Sequence, residues 1–216
     1  MALLIDLSHP IEAGMTTYPG LPGPTLRTHL SREESRNRYD PGTEFHIGTI
    51  EMVANTGTYL DTPFHRFPEG YDIAGLSLES CADLEGLCVR TDQPRIGPDL
   101  LADLDVEGRA VLFHTGWDVH WRTERYGAAE HPHLSAEAAD LLVERAAALV
   151  GIDSVNIDDT RPSIRPAHST LLAAGIPIVE HLTGLDAVPE SFRFFAVPAP
   201  VRLIGTFPVR AFALVG

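Results

Sequence analysis

Asp61 and His65 lie four residues apart with Pro63 between them, inside the stretch NTGTYLDTPFHR that runs from Asn55 to Arg66. A proline at that place rules out a shared helical face, so the carboxylate and the imidazole must be aimed by a fixed, non-helical loop. Far downstream, His168 and Glu180 form a second imidazole and carboxylate pair, flanking a predicted helix and the strand after it. A carboxylate, an imidazole and a second carboxylate can hold a divalent metal such as Zn2+ or Mn2+ and leave a position for water. Taken singly, Asp61 could cap a turn and His65 could be a solvated loop residue. Glu180 carries more information, because it interrupts the apolar run IPIVEHL. A carboxylate in a buried strand is costly unless it is paired, hydrogen-bonded or bound to metal.

The elements that must position these groups read as α/β. RAVLFHT and LVGIDS are short apolar runs bounded by turn residues, as expected for strands of a sheet covered on both faces. Between them SAEAADLLVERAAAL, from Ser135 onward, starts on a good N-cap and repeats apolar residues at helical spacing. RPAHSTLLAAG predicts a second, short helix ending at Gly175, followed by the strand IPIVEHL. Met1–Leu7 reads as a short strand leading into HPIEAGMTTYPGLPGP, whose prolines and glycines forbid a helix. TEFHIGTIEMVANTGTY predicts a strand running into a turn at Asn55–Gly57, and the carboxy-terminal FRFFAVPAPVRLIGTFPVRAFALVG alternates strands with proline punctuation.

Strand periodicity also sorts the remaining histidines. His46 and Asn55 differ in parity, so on a regular strand they face opposite sides unless a bulge near Gly48 resets the phase. His181, next to Glu180, points the other way and is expected to be packed or solvated. Trp117, Trp121 and Tyr126 could line a pocket, although such residues are more often core or subunit-interface anchors.

At 216 residues and 44% apolar, the chain is long enough for one sizeable core, and a single domain over 1–216 is expected. The net charge of −14 repels phosphate backbones and anionic lipid, which argues against nucleic-acid and membrane partners and for a small-molecule substrate. Only Cys81 and Cys88 occur, and no basic, apolar leader is visible at Met1–Asp6, so a cytoplasmic protein without a disulfide framework is expected.

NTGTYLDTPFH resembles the signature His-x-Gly-Thr-His-x-Asp-x-Pro-x-His of the cyclase family, which includes bacterial kynurenine formamidases and isatin hydrolases. The resemblance extends to IDLSHPIEAGMTTYPG, LFHTGWDVHW, GIDSVNID and AHSTLLAAGIPIVEHLTGLD, in that order, and covers most of the chain. It implies a single-domain swivelling β/β/α fold with a mixed central sheet, assembled as a homodimer or homotetramer. It further implies that Asp61 bridges metal ions, that His168 and Glu180 complete the metal set, and that His65 shuttles protons. Water activated by the metal would attack an amide-type carbonyl while His65 protonates the leaving nitrogen. Tyr18, in TTYPG, falls where relatives place an aromatic residue against the substrate ring.

Two positions depart from the pattern: Asn55 and Tyr59 stand where the family has two metal-binding histidines. A neutral amide is a weak ligand, and a phenol with a pKa of about 10 binds metal only when deprotonated. Three outcomes follow: one metal on Asp61, His168 and Glu180; a harder cation such as Mn2+ or Mg2+; or no metal. The expectation is one Zn2+ or Mn2+ in a hydrolase of a small amide, lactam or lactone. The alternative is a metal-poor or metal-free lyase or isomerase using His65 and Tyr59 as acid and base, or a small-molecule-binding protein.

Overall fold

A computed structural model describes residues 2–216 of the chain. In chain order the strands are β1 (Leu3–Asp6), β2 (Thr25–Leu30), β3 (Ile47–Glu51), β4 (Tyr59–Asp61), β5 (Leu84–Arg90), β6 (Arg95–Ile96) and β7 (Arg109–His114). They continue with β8 (His133–Leu134), β9 (Leu149–Ile152), β10 (Ile178–Glu180), β11 (Phe192–Phe195), β12 (Thr206–Pro208) and β13 (Phe212–Val215). The α-helices are α1 (Arg32–Arg36), α2 (Ala136–Glu144) and α3 (Pro166–Ala173). The Met1 end of the predicted first strand lies outside the described residues.

Nine strands form one mixed sheet in the order β1-β13-β11-β5-β7-β9-β10-β4-β12. Its centre, β5-β7-β9-β10, is parallel, and β4, β11, β12 and β13 pair antiparallel around it. Both faces of that centre are buried, as the continuous apolar runs of β7 and β9 require. Val111 and Phe113 of β7 pack into one core with Val150, Ile178, Leu142 of α2 and Leu171 of α3. Ala110 and Leu112, one residue out of phase, pack into the other with Leu60, Val179, Leu182 and Phe194. That second core draws on β4 and β11 from distant positions of the same sheet, so the sheet curls around it.

Both predicted helices form, although α2 stops at Glu144, short of the predicted stretch to Leu149, because Ala146 turns left-handed at φ +55° and Leu149 already begins β9. The Ser135 side chain accepts from the Ala138 N–H and caps α2. Past α3, Gly175 takes φ +77°, the left-handed conformation that ends helices and suits glycine. The strand predicted to run into the turn at Asn55–Gly57 is instead two elements. β3 stops at Glu51 in an exposed ribbon with β2, and β4 begins only at Tyr59, inside the main sheet. The β-branched composition does form strand, but the break over residues 52–58 is set by pairing with different partners. The parity argument for His46 lapses with the continuous strand, although His46 stays out of the site, exposed and bonded to Thr28.

Immediately before β12, Gly205 packs against the backbone of the Pro63–His65 turn, and its carbonyl accepts from Thr62 N at 2.7 Å. A Cβ on Gly205 would meet His65 N at 2.1 Å and Phe64 C at 2.6 Å, both backbone atoms that cannot swing aside. Gly205→Ala is expected to cost about 2 kcal/mol or more, lowering the melting temperature by roughly 4–8 °C in thermal denaturation. An unchanged melting temperature would show that the turn does not depend on this contact.

Candidate metal centre and active site

Strand β4 lies between β10 and β12, and this sandwiching assembles the site. Antiparallel pairing sets Tyr59 opposite Glu180 and Asp61 opposite Ile178, while on the other side Thr206 stands opposite Asp61. Directly after β4, a short 3-10 turn over Pro63–His65 opens on Pro63, whose fixed φ suits a first helical position. It returns His65 over Asp61, with Nδ1 3.8 Å from Asp61 Oδ1. His168 arrives from the first turn of α3. Asp158 fixes it there, accepting from Ala167 N at 2.7 Å, from His168 N at 3.0 Å and from His168 Nδ1 at 2.7 Å. A remote carboxylate thus satisfies the start of α3, which has no side-chain cap of its own, and turns the His168 Nε2 inward.

The four residues predicted from sequence to carry the chemistry therefore converge. His168 Nε2 is 3.7 Å from Asp61 Oδ2 and 3.6 Å from Glu180 Oε1. Ligand atoms of Asp61, His65 and His168 all lie within 4.8 Å of one another. Ligands at roughly 2.0–2.2 Å from a shared tetrahedral ion stand about 3.3–3.6 Å apart, so the spacing suits a cation. One atom shows a need for it: Asp61 Oδ2 is fully buried and has no hydrogen-bond partner among the described residues. Asp61 Oδ1 accepts from Thr206, and Glu180 accepts from Ile157 N at 2.7 Å and from the Tyr59 hydroxyl at 2.7 Å. A buried, unpartnered carboxylate oxygen is what a metal ligand looks like without its ion.

The charges point the same way. Burial opposes a proton on His168, but Glu180, Asp158 and Asp61 outweigh it and raise the imidazole to about 10. Burial and the nearby Asp61 raise Glu180 to about 7, against the pull of His168. Without a metal, the pit of carboxylates holds its countercharge as a proton on His168.

His65 has a defined tautomer. The Thr206 hydroxyl gives its single proton to Asp61, so toward His65 Nδ1, 2.8 Å away, it can only accept. His65 therefore carries its proton on Nδ1, and Nε2 is left bare on a ring that lines a cavity of about 130 Å³ with Arg66, Asn156, Arg165 and His168. Thr206 and Asp158 escaped the sequence reading. Asp158 ends GIDSVNID, which resembles the family, and Thr206 lies outside every such segment; neither residue type signals chemistry until contacts 10 and 145 residues apart are known.

The two departing positions are neighbours, the Asn55 side chain lying beside the Tyr59 hydroxyl. Tyr59 is buried and its hydroxyl donates to Glu180, so its ring occupies space beside the carboxylate rather than facing the cavity. Burial, then the charges of Glu180 and Asp61, hold its pKa well above the ordinary phenol, while the Asn55 side chain beside it favours the ionised form. His181 corrects the alternation argument. Its φ of +58° breaks strand geometry directly after Glu180, so both side chains converge on the Tyr59 hydroxyl, His181 Nε2 at 3.3 Å. Burial lowers His181 to about 3, and Tyr126 bonds its Nδ1 at 2.8 Å. Trp121 stacks on His9 at 3.9 Å and meets Tyr126 edge-on, which ties the entry loop to this network. Tyr18 lies half-buried on that loop, its carbonyl accepting from Leu21 N, and is not among the residues lining the cavity beside His65.

A family model described as "putative cyclase" matches residues 5–159 of the chain. The kynurenine formamidase of Bacillus cereus is 29% identical over 213 residues, covering 96% of this chain and 95% of that protein. The solved structure of a potential metal-dependent hydrolase with cyclase activity superposes with a TM-score of 0.82 at 25% identity, covering 99% of this chain and 98% of its own. Isatin hydrolase A from Labrenzia aggregata, bound to benzyl benzoate, shares the fold with a TM-score of 0.83 at 21% identity, covering 99% and 94%.

Because His168 and Glu180 hold protons more tightly without a metal, a cation must displace them on binding. Affinity for Mn2+ or Zn2+ should therefore rise with pH, by about tenfold per pH unit for each proton displaced, between pH 6 and 8. Titration with a metal indicator measures it; an affinity flat across that range would remove His168 from the ligand set.

Proposed function

The chain belongs to the cyclase family, and on that premise we propose that it is a metal-dependent hydrolase of a small amide, lactam or lactone. The reading includes one divalent cation, Zn2+ or Mn2+, on Asp61, His168 and Glu180. The observation that carries it is the buried, unpartnered Asp61 Oδ2, 3.7 Å from His168 Nε2. The relatives supply the reaction class, since a kynurenine formamidase and a potential metal-dependent hydrolase both align over nearly the whole chain.

A bound divalent cation supplies Lewis-acid polarisation of a carbonyl and lowers the pKa of an attacking water. The chain's own groups do the rest. His65, whose ring lines the cavity and whose Nε2 is bare, takes the proton from the attacking water and passes it to the leaving nitrogen. Thr206 keeps Nδ1 as the donor, so Nε2 stays the basic atom, and its bond to Asp61 holds the pair in register. Asp158 holds His168, and the Ile157 N–H holds Glu180. Tyr59 takes no proton-transfer role in this scheme, because its hydroxyl is buried and committed to Glu180. This weighs against the lyase or isomerase reading that needs Tyr59 as acid or base.

Tyr18 is retained as the aromatic contact to the substrate ring that the resemblance implies. Self-association as a homodimer or homotetramer also belongs to the proposal. Its support is the β2–β3 ribbon, which exposes Leu26, Ile47 and Ile50, because an isolated two-stranded ribbon is at best marginally stable. No helix among the described residues is long and apolar enough to cross a membrane.

Formanilide hydrolysis tests the reading. Chelation should abolish it and Zn2+ or Mn2+ restore it, and His65→Ala should lower kcat by about 10²–10⁴ while bound metal stays at the wild-type level. Thr206→Val, which removes the acceptor for the His65 Nδ1–H, should lower kcat by roughly 10–100-fold. Turnover that survives chelation, or full turnover in His65→Ala, would overturn the mechanism.

A further inference from the structure

The cavity beside His65 and His168 is lined, in addition, by Arg66, Arg165 and Asn156. None of these three is an acid, and among the described residues neither arginine has a carboxylate within 4.0 Å, unlike Arg161 nearby, which pairs with Asp159 at 2.7 Å. Arg66 makes one long bond, from Nε to Ser169 Oγ at 3.4 Å, and rests its guanidinium on the Phe67 ring. Arg165 donates from Nη1 alone, to the carbonyls of Pro162, Ile164 and Asp159, which fixes the side chain without neutralising it. Asn156 accepts the Asp158 N–H through Oδ1, which leaves its NH2 group as a further donor. In a chain of net charge −14, a cavity that offers two unneutralised guanidiniums and an amide donor is an exception to the prevailing sign.

We propose that Arg66 and Arg165 form an anion-binding mouth for the substrate, and that the substrate is an amide carrying a carboxylate on the side of the molecule away from the bond that is cleaved. The inference rests on the hydrolase reading, because it takes His65 and His168 in the same cavity as marking the reacting end. The guanidinium fork matches the planar pair of oxygens of a carboxylate, and a partly enclosed site strengthens that bond over its value in water. The acids of the inner site, Asp61, Asp158 and Glu180, would repel such a group, so the mouth arginines also set its orientation: carboxylate outward, amide inward. The anion is thereby kept off the cation site.

The test compares formanilide with 3- and 4-formamidobenzoate on the metal-loaded wild type, Arg66→Gln, Arg66→Lys and Arg165→Gln. One charge-assisted bond corresponds to about tenfold or more in specificity, so at least one carboxylated amide should exceed formanilide in kcat/KM by that factor. The ratio should collapse in Arg66→Gln, mainly through KM, and be partly kept in Arg66→Lys. Arg66 is exposed, so its variants carry the test even if Arg165→Gln fails to fold. A wild-type ratio near one, or a ratio that survives Arg66→Gln, overturns the inference. If none of the amides is hydrolysed, the hydrolase reading fails on its own. Calorimetric binding of benzoate against benzamide then decides the mouth: benzoate about tenfold tighter, with the difference lost in Arg66→Gln, supports it, and equal binding overturns it.

Discussion

Three buried carboxylates, Asp61, Asp158 and Glu180, surround the imidazole of His168, and the rest of the site follows from that concentration of negative charge. Such a pit is unfavourable in a protein interior unless a cation or a proton fills it. Each acid is accordingly braced by donors that cost no extra charge: Thr206 for Asp61, the α3 amides for Asp158, and Ile157 N–H with the Tyr59 hydroxyl for Glu180. The one oxygen without a donor, Asp61 Oδ2, marks where positive charge is wanted.

The sheet makes that arrangement possible. β4 contributes only three residues, but its position between β10 and β12 brings Tyr59, Asp61, Glu180 and Thr206 into one layer from three separate stretches of chain. Burial on both faces of the central strands excludes water from the layer, which raises the electrostatic stakes of each bond within it. The outer rim has the opposite character. His65 is part-exposed on a turn, and the two arginines beside it bring positive charge to the entrance, so the site grades from acidic inside to basic at its mouth.

Tyr59, with Asn55 beside it, is committed to Glu180 and does not line the cavity beside His65. Where the family signature has imidazoles, this chain builds a directed hydrogen-bond chain. Tyr59 donates to Glu180, so toward His181 Nε2 it can only accept, and His181 Nδ1 is then left to accept from Tyr126. Neutral groups linked in this way fix Glu180 without adding charge, and the stack of Trp121 on His9 anchors the far end to the entry loop.

Much of this was legible in the residue order. Pro63 required a non-helical loop for Asp61 and His65, Glu180 stood out because an acid in an apolar strand must be compensated, and Ser135 and Gly175 bracket the two helices at their ends. These are local rules, set by sterics, capping and burial within a few residues. The chain could not announce through such rules that TEFHIGTIEMVANTGTY divides into an exposed ribbon and a buried strand, since both halves have the same composition and only their partners differ. Nor could alternation place His181, because one left-handed residue after Glu180 reverses the direction that parity assigns. Thr206 acquires its role from Asp61 and His65, 145 and 141 residues away, and Asp61 Oδ2 is unpartnered only in three dimensions. The sequence singled out Asp61, His65, His168 and Glu180 as candidates; the tertiary structure decided which of their atoms face one another, because proton direction, missing donors and charge balance belong to contacts between distant segments.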